Sequence, residues 1–306
     1  MRTLLHDPAF AAAVAGRALV LVDAGARGEL DPPWAGLGPE VLTVVGFEPD
    51  AEECRRLQDA APPGRRYLPV ALWSHDAEVQ VHVAATPSCS SVHPPNERLL
   101  RRYADPHVRP RDTAAVERYP ARPLDAVLDE QDVRADVLKV DVQGAEAEIL
   151  RGAARALRET IDVAIVETWT VEVHRGQGRT HDVLALAADA GLSLFDVGIA
   201  AAWERRSADG LDLVGKRQVV GLDLLLIRDP ADWPADADPV RRAKAAAVAE
   251  AFGFPDVALE LLPSEGPLRE AVLAGAAERR AARDSRWRRV RHLLGKSDPA
   301  FASLHA

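Results

Sequence analysis

The stretch VLKVDVQGAEAEILRGA, residues 137–153, limits what this chain can fold into more than any other. Val137, Leu138 and Val140 make an apolar run of strand character, and Gly144 breaks it. Ala145, Ile149 and Leu150 then fall at helical spacing. A strand that hands an acid, Asp141, to the first turn of a helix is half of a unit of an open α/β sheet. In such sheets ligands bind outside the carboxyl ends of the strands. The N–H groups and positive dipole end of the next helix face the same edge. Asp141 therefore stands where chemistry would be placed, and capping that helix is its competing structural role.

The same unit recurs along the chain. After a short helix near residues 9–16, ALVLVDAGARG (18–28) is a buried strand ending in an acid and a glycine turn. VLTVVGFEP (41–49) is a second strand ending in Glu48, with Pro49 and Asp50 opening a helix. RRYLPVAL reads as a third strand closing near Leu72, and AEVQVHVAA (77–85) alternates at period two. Beyond Pro123 come the helix PLDAVLDEQ, the strand through Asp141, and the helix through Leu157. The strand IDVAIVE ending in Glu167, the helix HDVLALAADAG, the strand LSLFDVG and a closing QVVGLDLLLI follow, the last with antiparallel pairing open to it. This order predicts an α/β fold with a doubly wound, mostly parallel sheet. Residues 86–123 break the pattern with several prolines and seven arginines, and read as an irregular lid over the site. The Pro/Asp-rich segment 229–239 reads as a linker, which divides the chain into an α/β domain of residues 1–230 and a helical extension of residues 231–306. The extension ends in a basic helix (278–296). Its stripe of Trp287, Val290 and Leu294 suits docking on the protein itself, with a membrane surface or acidic partner as the other use.

Composition narrows the function. A net charge of −9 argues against nucleic acid as the main partner. No apolar run approaches the roughly twenty residues of a membrane helix. Asp7 and Pro8 interrupt any signal-peptide reading of the amino terminus. Cys54 and Cys89 lack zinc-site spacing and read as packing residues in a reducing, cytoplasmic setting.

In the first turn, Gly25 and Gly28 permit close backbone approach to a ligand, and Asp23 fixes the turn or reaches an amine. A dinucleotide fingerprint would need glycines at positions 25, 27 and 30, where this chain has Gly25, Arg27 and Leu30. Glu48, 23 residues after Gly25, is placed to accept from both hydroxyls of a ribose. A nucleoside lacking a pyrophosphate fits this pair best. S-adenosylmethionine is one: amino-acid head at the turn, ribose at Glu48 and Pro49, adenine near Ala71 and Leu72. Methyl transfer from a sulfonium needs positioning and a base for the acceptor's proton. Asp141 is the first candidate for that base, with His174 in VEVHRGQG and His93 in the lid as others. Ser90, Ser91, Gln143, Glu146 and Glu167 are candidate substrate contacts. Lys139, on the same face as Asp141, is expected to pair with Asp141 or Glu167. Asp141, Glu146 and Glu167 would hold a divalent ion only if the fold gathers them.

VDAGARG, GFEPD, ARPLDAVL, LKVDVQGAEAEILRGA, VETWTVEVHRGQ and QVVGLDLLLIRD, in that order, resemble the successive blocks of the FkbM-type methyltransferase family. The resemblance spans about residues 18–229. It implies a class I methyltransferase fold, S-adenosylmethionine as methyl donor, and O-methylation of a hydroxyl on a small-molecule sugar or natural product. By the same resemblance Asp23, Gly25, Ala26, Arg27 and Gly28 form the cofactor loop and Glu48 is the ribose acid. The chain departs from the pattern at Gln143, where Glu is frequent, and at Glu29, where a further glycine is frequent. Two other functions fit the same architecture: a nicotinamide-dependent oxidoreductase, disfavoured by the missing glycines, and a non-catalytic scaffold acting through its C-terminal helices. The arginines of the lid hint at an anionic acceptor; oligomeric state is left open.

Overall fold

A computed structural model describes residues 3–28, 30–207 and 215–293, with side chains as far as residue 281. In chain order the elements are α1 (Pro8–Ala13), β1 (Leu19–Ala24), β2 (Leu42–Phe47), α2 (Ala51–Asp59), β3 (Arg65–Leu68), β4 (Ala71–Leu72) and β5 (Ala77–Ala84). Next come α3 (Glu97–Leu100), α4 (Asp105–Val108), β6 (Thr113–Arg122), α5 (Leu124–Glu130), β7 (Val137–Val140), α6 (Glu146–Gly152), α7 (Ala154–Glu159) and β8 (Val163–Trp169). The chain closes with α8 (Thr180–Asp189), β9 (Ser193–Trp203), β10 (Gln218–Ile227), α9 (Pro239–Ala251), α10 (Pro255–Leu261) and α11 (Pro267–Leu293).

Seven strands form one sheet in the order β3-β2-β1-β7-β8-β10-β9. β3, β2, β1, β7 and β8 pair in parallel, whereas β10 runs antiparallel to both of its neighbours. The chain leaves β1 toward β2 and β3 on one side and returns to β7 on the other. The carboxyl ends of β1 and β7 thus flank a switch point, where ligands lodge in open α/β sheets. This is the doubly wound, mostly parallel α/β sheet that the sequence predicts.

The central strands β1, β2, β7 and β8 are buried on both faces, which is why they read as continuous apolar runs, whereas much of the edge strand β9 is exposed. On one face Val22, Val45, Leu138, Val140 and Val166 pack against Leu124, Ile149, Leu150, Leu157 and Val183 of α5–α8. On the other, Leu19, Leu21, Val44, Val137 and Val163 meet Phe10 and Val14 at the amino terminus, Ala245–Ala249 of α9, and Val257 and Leu261 of α10. The alanines of α9 let that helix lie close to the sheet. Ion pairs fasten it to the strand starts: Lys244 Nζ lies 2.7 Å from Asp136, and Arg241 Nε lies 2.7 Å from Asp162. Helices α9 and α10 therefore share one core with the sheet. Of the basic tail, the backbone is helical to Leu293, while the stripe of Trp287, Val290 and Leu294 lies outside the described side chains, as Glu29 lies outside the described residues.

Two readings of the sequence are corrected. RRYLPVAL is not one strand: Pro69 and Val70 separate β3, at the sheet edge, from β4, which belongs to a second, three-stranded sheet β4-β6-β5. Residues 86–123 are not an irregular loop throughout, because β6 occupies ten of them at the centre of that second sheet, antiparallel to β5. Most of β6 is exposed on both faces, so no apolar alternation betrays it.

Candidate active site

β1 delivers Asp23 and β7 delivers Lys139 as register partners, so the two face each other and pair at 3.0 Å. This corrects the expectation that Lys139 serves Asp141 or Glu167. Burial disfavours the Lys139 charge, but the Asp23 carboxylate outweighs it and holds the ammonium above its ordinary value. Asp23, 4% exposed, is thus spent inside the sheet rather than turned to a ligand.

Two residues on, Gly25 has φ +88°, and a Cβ there would sit 2.1 Å from the Asp141 carbonyl oxygen. Only glycine lets the two strand ends approach so closely. The N–H groups of Gly25 and Ala26 both donate to Phe47 O at 3.1 Å, which ties the turn to the end of β2. There Glu48 accepts from the Asp50 N–H at 2.9 Å and lies 3.4 Å from Arg27 Nε. Burial lifts its carboxyl above the ordinary value, against the pull of that N–H and of Arg27. Asp50 caps α2 by accepting from Glu52 and Glu53.

The turn after β7 carries an uncommon conformation: Gln143 has φ +57° and Gly144 +118°. Glu146 folds back and accepts from the Gly144 N–H at 2.8 Å, and burial pushes its carboxyl up to about 7. Asp141 does not cap the helix; the cap position of α6 is Ala145, without a side-chain bond. Asp141 is exposed and free to face a ligand. The bent turn aims the Gln143 amide so that Nε2 donates to Asp141 Oδ1 (3.2 Å) and to Glu167 Oε2 (2.8 Å). Gln143 Oε1 is buried with no partner. Burial first, then the adjacent Asp141 carboxylate, pushes Glu167 up to about 10, so Glu167 carries the proton of this pair and donates it to Asp141.

These ends open onto a cavity of about 280 Å³, close to the lower end of the roughly 300–1,000 Å³ usual for small-molecule sites. Of the candidates from the sequence, Gly25, Arg27, Glu48, Pro49, Ala71, Leu72, Ser90, Ser91, Asp141 and Gln143 all line it. Asp23, Ala26, Gly28, Glu146, Glu167 and His174 do not. Ala26 is buried under the turn, Gly28 faces open space, and Glu146 and Glu167 stand behind the Gln143 turn. His174 is 2% exposed and bonded to Gln177, with its N–H 2.6 Å from Gln177 Oε1. Burial and the nearby Arg111 push its imidazole down to about 3, leaving a weak base outside the cavity lining, which argues against the expected role of His174 as a base. Ser90 Oγ accepts from Ala84 and Ser91 Oγ from His93, so both hydroxyls already brace the wall.

Sequence reasoning missed the wall that the second sheet supplies. Val81 and Val83 of β5 and Glu117 and Tyr119 of β6 close the cavity opposite Phe47 and Ile149. Tyr119 Oη donates to Glu117, and burial with that carboxylate raises the phenol above its ordinary value. The period-two pattern of β5 was the one signal available for this wall. Among the described residues no group of three or more His, Cys, Asp or Glu is arranged to hold a metal ion, and no helix is long and apolar enough to cross a membrane.

The sequence matches the model of the methyltransferase FkbM domain over residues 35–193, just over half of the chain. The match begins after the β1 turn. No match is found among curated protein sequences. Among solved structures the chain is similar to a methyltransferase FkbM from Methylobacillus flagellatus KT, with 16% identity and a TM-score of 0.36 over 68% of this chain and 43% of that one. It is also similar to magnesium protoporphyrin IX methyltransferase from Synechocystis PCC 6803, solved with bound SAM, with 11% identity and a TM-score of 0.35 over 69% and 70%. The chain thus spans less than half the length of the first of these. From the domain match, the protein belongs to the FkbM methyltransferase family.

Proposed function

We propose that the protein is an S-adenosylmethionine-dependent O-methyltransferase acting on a hydroxyl of a small molecule such as a sugar or natural product. One observation carries the reading: the Gly25 turn, Glu48 and Asp141, each ending a different strand, face a single cavity at the switch point. The residues suit the cofactor. Gly25 leaves room for the amino-acid head beside the backbone. Glu48 uses one oxygen for the Asp50 N–H, and each carboxylate oxygen has two acceptor sites, so a ribose diol can still be bound. Val70, Ala71, Leu72 and Tyr119 make an apolar slot for the adenine.

The bound cofactor supplies a methyl already activated by its sulfonium. The chain's own residues do the rest. The walls would hold the acceptor oxygen in line, and Asp141 would take the hydroxyl proton, a contribution of about 10²–10⁴-fold in rate. Glu167, protonated, steadies the Asp141 carboxylate, and Gln143 fixes the spacing of the pair.

Calorimetry with S-adenosylhomocysteine tests the cofactor half. Micromolar affinity is expected for the wild type and for Asp141→Asn, with Glu48→Ala weakened about 10- to 100-fold by the loss of a charged acceptor. Absence of heat with the wild type would refute the reading. Transfer of labelled methyl to a panel of hydroxylated acceptors then tests O-methylation, and Asp141→Asn should abolish it.

A further inference from the structure

Arg111 follows α4 and lies above the carboxyl ends of β8 and β9, where Trp169 and Trp203 end those strands. Its guanidinium carbon is 4.5 Å from the Trp203 ring centroid and 5.4 Å from that of Trp169. Tyr103 and His107 complete the cage, edge-on and stacked against Trp203. One guanidinium nitrogen, Nη1, donates to His107 O at 3.0 Å, while Nε is buried without a partner. Among the described residues no carboxylate lies within ion-pairing distance. Glu167, whose charge would favour the cation, has its own carboxyl pushed up to about 10, and burial draws the guanidinium below its ordinary value. Stacked indoles replace only part of the hydration such a cation gives up. A fork of donors so held lacks one thing, an anion. The place is also specific, since Trp169 lies two residues beyond Glu167 on β8, and Glu167 accepts from the cavity-lining Gln143 at 2.8 Å.

We infer that Arg111, in its cage of Trp169 and Trp203, seats an anionic group, a carboxylate or a phosphate, carried by the methyl acceptor. The inference rests on the methyltransferase reading and adds the acceptor's class: a hydroxylated anion, its hydroxyl at Asp141 and its charge at Arg111. The guanidinium binds and orients; it takes no part in proton transfer.

The two indoles provide the readout. With the protein saturated in S-adenosylhomocysteine, inorganic phosphate and acetate are titrated separately while tryptophan fluorescence is followed. A saturable change is expected with at least one anion, and the tighter arm names the source. Arg111→Gln should weaken it about 10- to 100-fold, and Arg111→Lys should fall between, keeping the charge but not the fork. Arg118→Gln, on an exposed β6 side chain, should match the wild type. If Arg111→Gln does not fold, phenylglyoxal modification of the wild type mapped by mass spectrometry replaces it, and the anion should protect Arg111 selectively. No saturable response to either anion, or equal response in Arg111→Gln, overturns the inference. Calorimetry of the cofactor product stands apart: heat without an anion response sinks only the Arg111 site, and an anion response without heat sinks the methyltransferase reading.

Discussion

Replacing Gly25 by alanine separates two physical effects that the site combines. At φ +88° an alanine meets backbone strain of about 1–3 kcal/mol. Its Cβ would also stand 2.1 Å from Asp141 O, 3.0 Å from Asp141 C and 3.1 Å from Val142 Cγ1. The first two are backbone atoms fixed by β7, so β1 and β7 must part, at an overpacking cost of about 1–3 kcal/mol. Gly28 supplies the control, because its φ is +102° but a Cβ there meets nothing within 4 Å. Gly28→Ala should show strain alone. Urea denaturation of both variants and the wild type measures the difference, with Gly25→Ala expected to be less stable than Gly28→Ala by about 1–3 kcal/mol. Gly25→Ala should also weaken S-adenosylhomocysteine, since the displaced turn is the cavity floor. Equal destabilisation of the two variants would refute the claim that the approach of these strand ends dictates glycine.

Two further perturbations follow from the electrostatics. Glu167 has a folded value raised to about 10 from an ordinary 4.5, so its contribution to stability is intact below pH 4.5 and lost as pH rises toward 10. Glu167→Gln should therefore gain on the wild type between pH 5 and pH 9 in denaturation midpoint, and a pH-independent gap would count against the shared proton. At the opposite edge, Asp162 accepts from Arg228 Nε at 2.9 Å and from Arg241 Nε at 2.7 Å. Asp162→Ala leaves two half-buried cations unpaired and should cost about 3–5 kcal/mol, whereas Glu97→Ala, in an exposed pair with Arg101, should change stability by less than about 1 kcal/mol; similar losses in urea would contradict that contrast.

The centre of the sheet was legible because its strands are buried on both faces. LVLVDA, LTVVGF and VAIVETW carry no competing helical period, and each ends in an acid or a turn. The antiparallel β10 was legible only as an option, since the sequence of a buried strand is the same in either direction. The second sheet escaped notice for the opposite reason: TAAVERYPAR faces solvent, contains Pro120, and owes its conformation to pairing with β5 rather than to its own pattern. The C-terminal helices were legible as helices, but not their place on the sheet, which depends on Lys244 and Arg241 finding Asp136 and Asp162 more than seventy residues away.

In the site, positions were legible and roles were not. A strand-terminal acid is easily found, yet Asp23, Glu48, Asp141 and Glu167 end four strands and do four different things. Register decides which: Asp23 lies opposite Lys139 and is neutralised, while Glu167 lies opposite Asp223 and beside Asp141, with no cation in ion-pairing reach among the described residues, and is protonated instead. Glu48 meets an arginine 3.4 Å off and keeps acceptor capacity to spare. Asp141 is the exposed one of the four, just before the left-handed Gln143 turn. A glutamate at position 143 would set a third carboxyl between two that already share one proton. The amide, by donating to both, is what allows Glu167, behind the turn, to stand beside Asp141 on the cavity wall.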